Sequence, residues 1–213
     1  PGVGLLPASL HLDVAYVAVA KSDEYKTLSK AQRRIIDYAL RDFRLAGIEL
    51  DAVSKKQFKQ IQQRLAQLQT KFEENVLDAT HAWKKHITDR QLLLGLPETA
   101  LALAAQNAHR DGLDGWVFTL EYPSYMPVMQ YADDAGLRKE MYVAYVTRAS
   151  GAGPHDCKWD NTEIMGEILE LRRRLARLLG FDSYAHYSLA RKMAKTPDEV
   201  MSFLNDLARR AGK

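Results

Sequence analysis

The sequence has little cysteine, proline or glycine among its 213 residues. Its single cysteine, Cys157, excludes an internal disulfide framework and a zinc site built from several thiolates, and it fits a reducing compartment. No apolar run approaches the roughly 18 residues that a membrane-spanning helix needs. The first residues lack both a basic leader and a cleavage site. These absences predict a folded cytoplasmic protein that is neither secreted nor embedded in a membrane.

Charge of one sign is also scarce, because 30 basic residues against 27 acidic ones give a net charge of +3. Nucleic-acid binding needs clustered lysines and arginines, with aromatic residues between them for stacking. The densest basic run is Arg172-Arg173-Arg174 with Arg177, which spreads over much of a helix circumference and contains no aromatic residue. It indicates solvated charges and pairs within one helix, so no nucleic-acid partner is expected.

Apolar residues recur at helical spacing over most of the chain, and the predicted fold class is therefore mainly α. A capping box at Ser29 and Gln32 predicts a helix that ends near Gly47. The longest predicted helix carries an apolar stripe from Phe58 to Leu77. The same reasoning predicts further helices over 96–109, from Pro123, over 137–150, after Asp160 or Asn161, over 183–190 and over 196–211.

Two segments, around 83–88 and 115–121, favour strands instead. The run from Trp116 to Leu120 is β-branched and aromatic, and Gly115 and Pro123 bound it. We therefore predict a multi-helix array with a small inserted antiparallel β pair, which needs a helix packed over it. Residues 1–11 are predicted to be an irregular or engineered start. The helical body is predicted over 12–213, and for its first segment a strand is the alternative.

No complete active site is visible in the residue pattern. Two histidines that share a zinc ion on one helix face must lie four residues apart, and no pair of the six histidines has this spacing. Asp78 and His81 are one turn apart, which fits a surface hydrogen bond or, with a third ligand, a metal. His155, Asp156 and Cys157 are adjacent, but neighbouring residues point in different directions. We predict no catalytic residue, no metal ligand and no cofactor in this chain.

A tyrosine-rich segment covers two predicted helices between Pro123 and Ser150. Tyrosine combines a large apolar face with a hydroxyl, so such a segment either lines a peptide-binding groove or packs in the core. Tyr142 and Tyr145 continue an apolar stripe with Met141 and Val146, and they are predicted to face inward. Tyr125 follows a proline at a helix start, and it is the candidate substrate contact.

Seven groups of short motifs, in the right order and spacing, resemble the thimet-oligopeptidase family of zinc metallopeptidases. Together they cover roughly residues 22–211. The motifs lie at 39–47, 75–80, 123–129, 137–142 with 147–150, 158–162, 178–181 with 184–185, and 189–194.

The resemblance implies a cytoplasmic enzyme that cuts short peptides in a channel between two mostly helical halves. In the family, two histidines of a His-Glu-x-x-His motif and a glutamate on the next helix hold the zinc, and this sequence contains no such motif. The chain therefore resembles the N-terminal or middle, channel-wall portion, inactive alone, with zinc only in the parent enzyme. Short peptides and the missing catalytic half are the implied partners, and an uncovered apolar surface implies self-association. The alternative is a free-standing helical scaffold or interaction module without enzymatic activity.

Overall fold

A computed structural model describes residues 8–212. Mainly α architecture is confirmed, and none of the helices in this range has the length and apolarity to cross a membrane. The helices are α1 (Ala8–Lys21), α2 (Glu24–Thr27), α3 (Lys30–Leu45), α4 (Ala52–Ala82), α5 (Glu98–Arg110), α6 (Tyr122–Tyr131), α7 (Ala135–Thr147), α8 (Thr162–Leu178), α9 (Tyr184–Leu189) and α10 (Pro197–Ala211). The strands are β1 (Lys84–Ile87) and β2 (Trp116–Thr119).

The chain divides into two compact units, and the first comprises residues 1–65 and 169–213. In its described part α1 packs on α3, and α9 packs on α10. The ring of Tyr16 meets the ring of Phe43 edge to face, with 5.8 Å between the centroids. Arg44 joins two distant parts of this unit, because its guanidinium donates a hydrogen bond to the carbonyl oxygen of Leu179 over 3.4 Å.

The second unit, residues 66–168, contains the small sheet. The two strands pair antiparallel, with Lys84 opposite Thr119 and Ile87 opposite Trp116, which confirms the predicted β pair. Helix α5 packs on β2, and α6 packs on α5, α7 and β2, so the pair has the helical cover that it needs. The largest fully buried side chains in this unit are Phe118, Leu120, Met141, Val117, Val128 and Asn161.

The signals predicted for the start and the end of α3 are observed. The hydroxyl of Ser29 accepts a hydrogen bond from the backbone of Gln32 over 3.3 Å, and the Gln32 side chain accepts one from the Ser29 backbone over 2.9 Å. This reciprocal capping box begins α3. Gly47, two residues after the last residue of α3, has a φ of 74°, which glycine adopts without steric cost.

The start of the described chain differs from the expectation. Helix α1 begins at Ala8, so residues 8–11, predicted to be irregular, are helical, and the alternative of a strand after Leu12 is wrong. No proline or glycine interrupts the sequence from Ala8 to Lys21, so nothing in the backbone opposes extension of the helix towards its N-terminus. The predicted irregularity of residues 1–7 lies outside the described residues.

Candidate functional site

The tyrosine-rich segment lies on α6 and α7 in the second unit. Tyr125, in the first turns of α6, is only 7% exposed and belongs to the hydrophobic core of that unit. Its ring stacks on that of Tyr145 from α7, with 4.1 Å between centroids and 13° between planes. The expected inward position of Tyr145 is therefore observed. The ring of Tyr125 fills space between the two helices. Its contact with a substrate stays a prediction.

A guanidinium completes this stack. The Cζ atom of Arg148 lies 3.9 Å from the ring centroid of Tyr145, a cation–π distance, and one terminal nitrogen donates to the Tyr145 carbonyl oxygen. Nε of Arg148 is buried and has no hydrogen-bond partner within residues 8–212. Burial raises the pKa of Tyr125, with smaller contributions in the same direction from Tyr145 and Tyr142 and an opposing one from Arg148. The Tyr125 hydroxyl therefore keeps its proton at neutral pH, and no residue in the described range bonds to it.

The inward positions predicted for Tyr142 and Val146 are wrong. The side chain of Tyr142 is 54% exposed and that of Val146 is 53% exposed. Helix α7 buries Leu137, Met141 and Ala144, which recur four and three residues apart on one face. Successive residues of an α-helix are turned by about 100°, so Tyr142 is turned by about 100° from Met141 and Val146 by about 200° from Ala144, and both point away from the core.

Beside α7 lies an open groove with a volume of about 490 Å³. Its lining consists of Trp83, six residues of α7 between Gly136 and Thr147, and residues 152–154 of the following loop. Glu140, also in the lining, is held by an ion pair with Lys85, whose Nζ lies 2.7 Å from its carboxylate oxygen. The groove thus combines apolar walls with a charged rim, the composition typical of small-ligand and peptide clefts.

The adjacent residues His155, Asp156 and Cys157 do not form a catalytic arrangement. Nε2 of His155 lies 2.9 Å from the carbonyl oxygen of Ala79, and its ring meets Trp159 edge to face. The exposed thiol of Cys157 is instead 3.6 Å from the carbonyl oxygen of Gly151. The histidine therefore anchors the loop to α4, and it is not aligned as a base for the thiol.

His81 contacts Glu121 instead of Asp78. Nε2 of His81 lies 3.5 Å from a carboxylate oxygen of Glu121, and both side chains are more than half exposed. Among residues 8–212 no group of three or more His, Cys, Asp or Glu side chains is arranged to hold a metal ion. The described residues therefore do not fit a zinc site.

Sequence reasoning missed a buried polar link. Nδ2 of Asn75, on α4, donates to Oδ1 of Asn161 over 2.8 Å, and the Asn161 amide donates to the carbonyl oxygen of Phe72 over 3.2 Å. Asn161 is 1% exposed and Asn75 is 5% exposed. Because Asp160 accepts the bond from the Thr162 backbone at the start of α8, the neighbouring asparagine is free to reach across to α4.

Comparison with known proteins shows that the chain is similar in sequence to a family of peptidases. Residues 6–57 match the sequence model described as "Neurolysin/Thimet oligopeptidase, N-terminal domain", and residues 128–213 match that of "Peptidase family M3". Oligopeptidase A of Salmonella typhimurium is 51% identical over 197 residues, and that of Escherichia coli is 50% identical over 197 residues. Each alignment covers 92% of this chain and 29% of the relative. A probable cytosolic oligopeptidase A from Arabidopsis thaliana is 41% identical over 199 residues, which are 89% of this chain and 28% of that protein.

Proposed function

Because this chain belongs to peptidase family M3, we propose that it forms part of a cytoplasmic zinc peptidase that hydrolyses short peptides. The observation that carries the proposal is the identity of about 50% to two bacterial oligopeptidases A over 92% of the chain. The chain spans 29% of the length of these relatives. The activity and the substrates of the whole enzyme are therefore part of the proposal for this chain.

Within such an enzyme we assign this chain the helical wall of the substrate channel. Its 213 residues contain no His-Glu-x-x-His motif, so the zinc ligands and the general base belong to a catalytic half that these residues do not include. Bound zinc would polarise the scissile carbonyl and activate water there. The described part of this chain supplies neither function, and alone it should be inactive.

The proposed peptide contact is the hydroxyl of Tyr125. The stack with Tyr145 fixes the ring, and burial keeps the hydroxyl protonated. No residue in the described range forms a hydrogen bond with this hydroxyl. A tyrosine hydroxyl in an apolar setting normally has a partner. A backbone carbonyl of a bound peptide would supply one.

The exposed apolar residues of α10 support a protein partner for this chain. Met201, Phe203, Leu204 and Leu207 on this helix are all exposed, although exposed apolar patches are costly in water. We propose that the catalytic half covers them, and that the isolated chain self-associates through the same face. Light scattering over a concentration series should show dimers or larger species, and a strict monomer throughout would count against this face as a docking surface.

A chimaera tests the proposed function. The segment of Escherichia coli oligopeptidase A that aligns with this chain is replaced by this chain, and hydrolysis of a short internally quenched peptide is measured. We expect the chimaera to cleave the peptide and the isolated 213-residue chain not to. A chimaera with glutamine in place of the parent's motif glutamate sets the background. A folded, zinc-loaded chimaera at that background would favour the scaffold alternative, and chelator-sensitive cleavage by the isolated chain would refute its inactivity.

A further inference from the structure

The first unit contains a second open cavity, with a volume of about 540 Å³. It lies along the N-terminal half of α3 and is lined by Tyr25, Lys30, Arg33, Arg34, Asp37, Tyr38 and Lys195. Four of these seven residues are cations and one is a carboxylate, whereas the whole chain is almost balanced in charge. The cavity is therefore a local concentration of positive charge.

The single carboxylate in the cavity does not neutralise these cations. Asp37 accepts a hydrogen bond from the hydroxyl of Tyr25 over 2.5 Å. Within residues 8–212, Lys30, Arg33 and Lys195 have no ion pair or side-chain hydrogen bond. The lining therefore presents four cations and one carboxylate to the same open space, an excess of three positive charges.

The position on α3 adds to the positive potential. Lys30 is the first residue of the helix and Arg33 follows one turn later, and the first turn contains no acidic residue. The N-terminus of a helix carries about half a positive charge, so cations are disfavoured there. An anion beside Lys30 and Arg33 would relieve this repulsion.

Arg34 and Tyr38 form the side of the cavity along α3. Nε of Arg34 donates to the hydroxyl of Tyr38 over 2.6 Å, and the Cζ atom of Arg41 lies 4.4 Å from the centroid of the Tyr38 ring. The ring and its hydroxyl are therefore already engaged. The remaining interactions that the cavity offers are those of arginine and lysine with oxyanions.

We propose that this cavity binds a small anion with several phosphate groups. A cavity of about 540 Å³ is of the size that holds a small ligand. Four converging cations match several charges carried by one compact molecule. A run of four acidic residues would spread its charges over about 13 Å of extended chain, which suits an open surface better than one cavity.

Isothermal titration calorimetry on the 213-residue chain, with inorganic tripolyphosphate as the probe, tests the proposal. The test variant carries Arg33→Gln and Lys195→Gln, and the control carries Arg174→Gln and Lys59→Gln. Both variants lose two positive charges, but the control residues line no part of this cavity. At 0.1 M salt the Debye length is about 10 Å, so distant charges contribute little.

We expect one tripolyphosphate per chain, a Kd at least about tenfold weaker in the test variant, and less than a twofold change in the control. Equal weakening in both variants would show attraction to the overall charge and overturn the site. Absence of binding at millimolar tripolyphosphate would overturn it as well. Tetraglutamate is the second probe, and tighter binding of this peptide than of tripolyphosphate would refute the assigned ligand class.

Discussion

Replacing Asn161 by alanine tests the buried link between α4 and the segment before α8. The change removes the acceptor of the bond from Asn75 and the donor of the bond to Phe72. Each lost hydrogen bond costs about 0.5–1.5 kcal/mol, and leaving the buried Asn75 amide unsatisfied adds about 1–3 kcal/mol. We expect the free energy of unfolding to fall by about 3 kcal/mol. For a chain of this length, that lowers Tm by about 6–12 °C.

Urea unfolding followed by both circular dichroism and tryptophan fluorescence measures the effect, and coincident transitions justify a two-state analysis. Asn75→Ala should cost less, because Asn161 keeps its bond to Phe72. The double variant should show a coupling free energy of at least about 1 kcal/mol, since the two residues share a bond. Asn205→Ala, on the exposed surface of α10, is the control and should stay within about 0.5 kcal/mol. A loss below that value for Asn161→Ala, or strict additivity with Asn75→Ala, would refute the reasoning.

Four further changes have defined outcomes. Gly115→Ala should destabilise the β pair by at least about 2 kcal/mol, because its φ is 88° and a Cβ would lie 2.5 Å from a carbonyl oxygen of β1. Gly112→Ala, with a φ of 72° and open space around it, should cost only about 1 kcal/mol in the same melting assay. Hydrogen bonds from Thr162 hold the pKa of Asp160 below its ordinary 3.8, so its stabilisation is present above that pH and is lost as the pH falls through the folded-state pKa. The Tm difference between wild type and Asp160→Asn should therefore be constant from about pH 5 to 7 and shrink below about pH 4, and a difference that persists at pH 2 would contradict this. Tyr125→Phe in the active chimaera should leave Tm unchanged but lower kcat/KM about threefold to tenfold, and unchanged kinetics would remove the substrate contact.

Local signals in the sequence were sufficient for most of the fold. The capping box of Ser29 and Gln32 lies within four residues, so the pattern contains both partners of each hydrogen bond. The strand at Trp116 is likewise bounded by its own glycine and by a proline shortly after it. Such elements are predictable because the residues that stabilise them are close in the chain.

Positions that depend on tertiary packing were not predictable in this way. Tyr142 was assigned the opposite environment from the one observed, because the face that α7 buries is decided by α6 packed against it. Asn161 looked equivalent to Asp160 as a cap for α8. Only the fold shows that Asp160 bonds to the helix start while Asn161 reaches Asn75, 86 residues away in sequence.

Three of the motifs that carry the family resemblance meet at this link. Asn75 belongs to the motif at 75–80 and Asn161 to that at 158–162, and the backbone of Asn161 donates over 3.1 Å to the carbonyl of Ala149 in the motif at 147–150. Ala149 has a φ of 54°, a conformation that costs a non-glycine residue about 1–2 kcal/mol and therefore needs such contacts to hold it. In the structure these motif residues hold three parts of the second unit together. Similarity at such positions supports a shared fold, whereas peptide hydrolysis must be tested in a protein that also contains the zinc-binding motif.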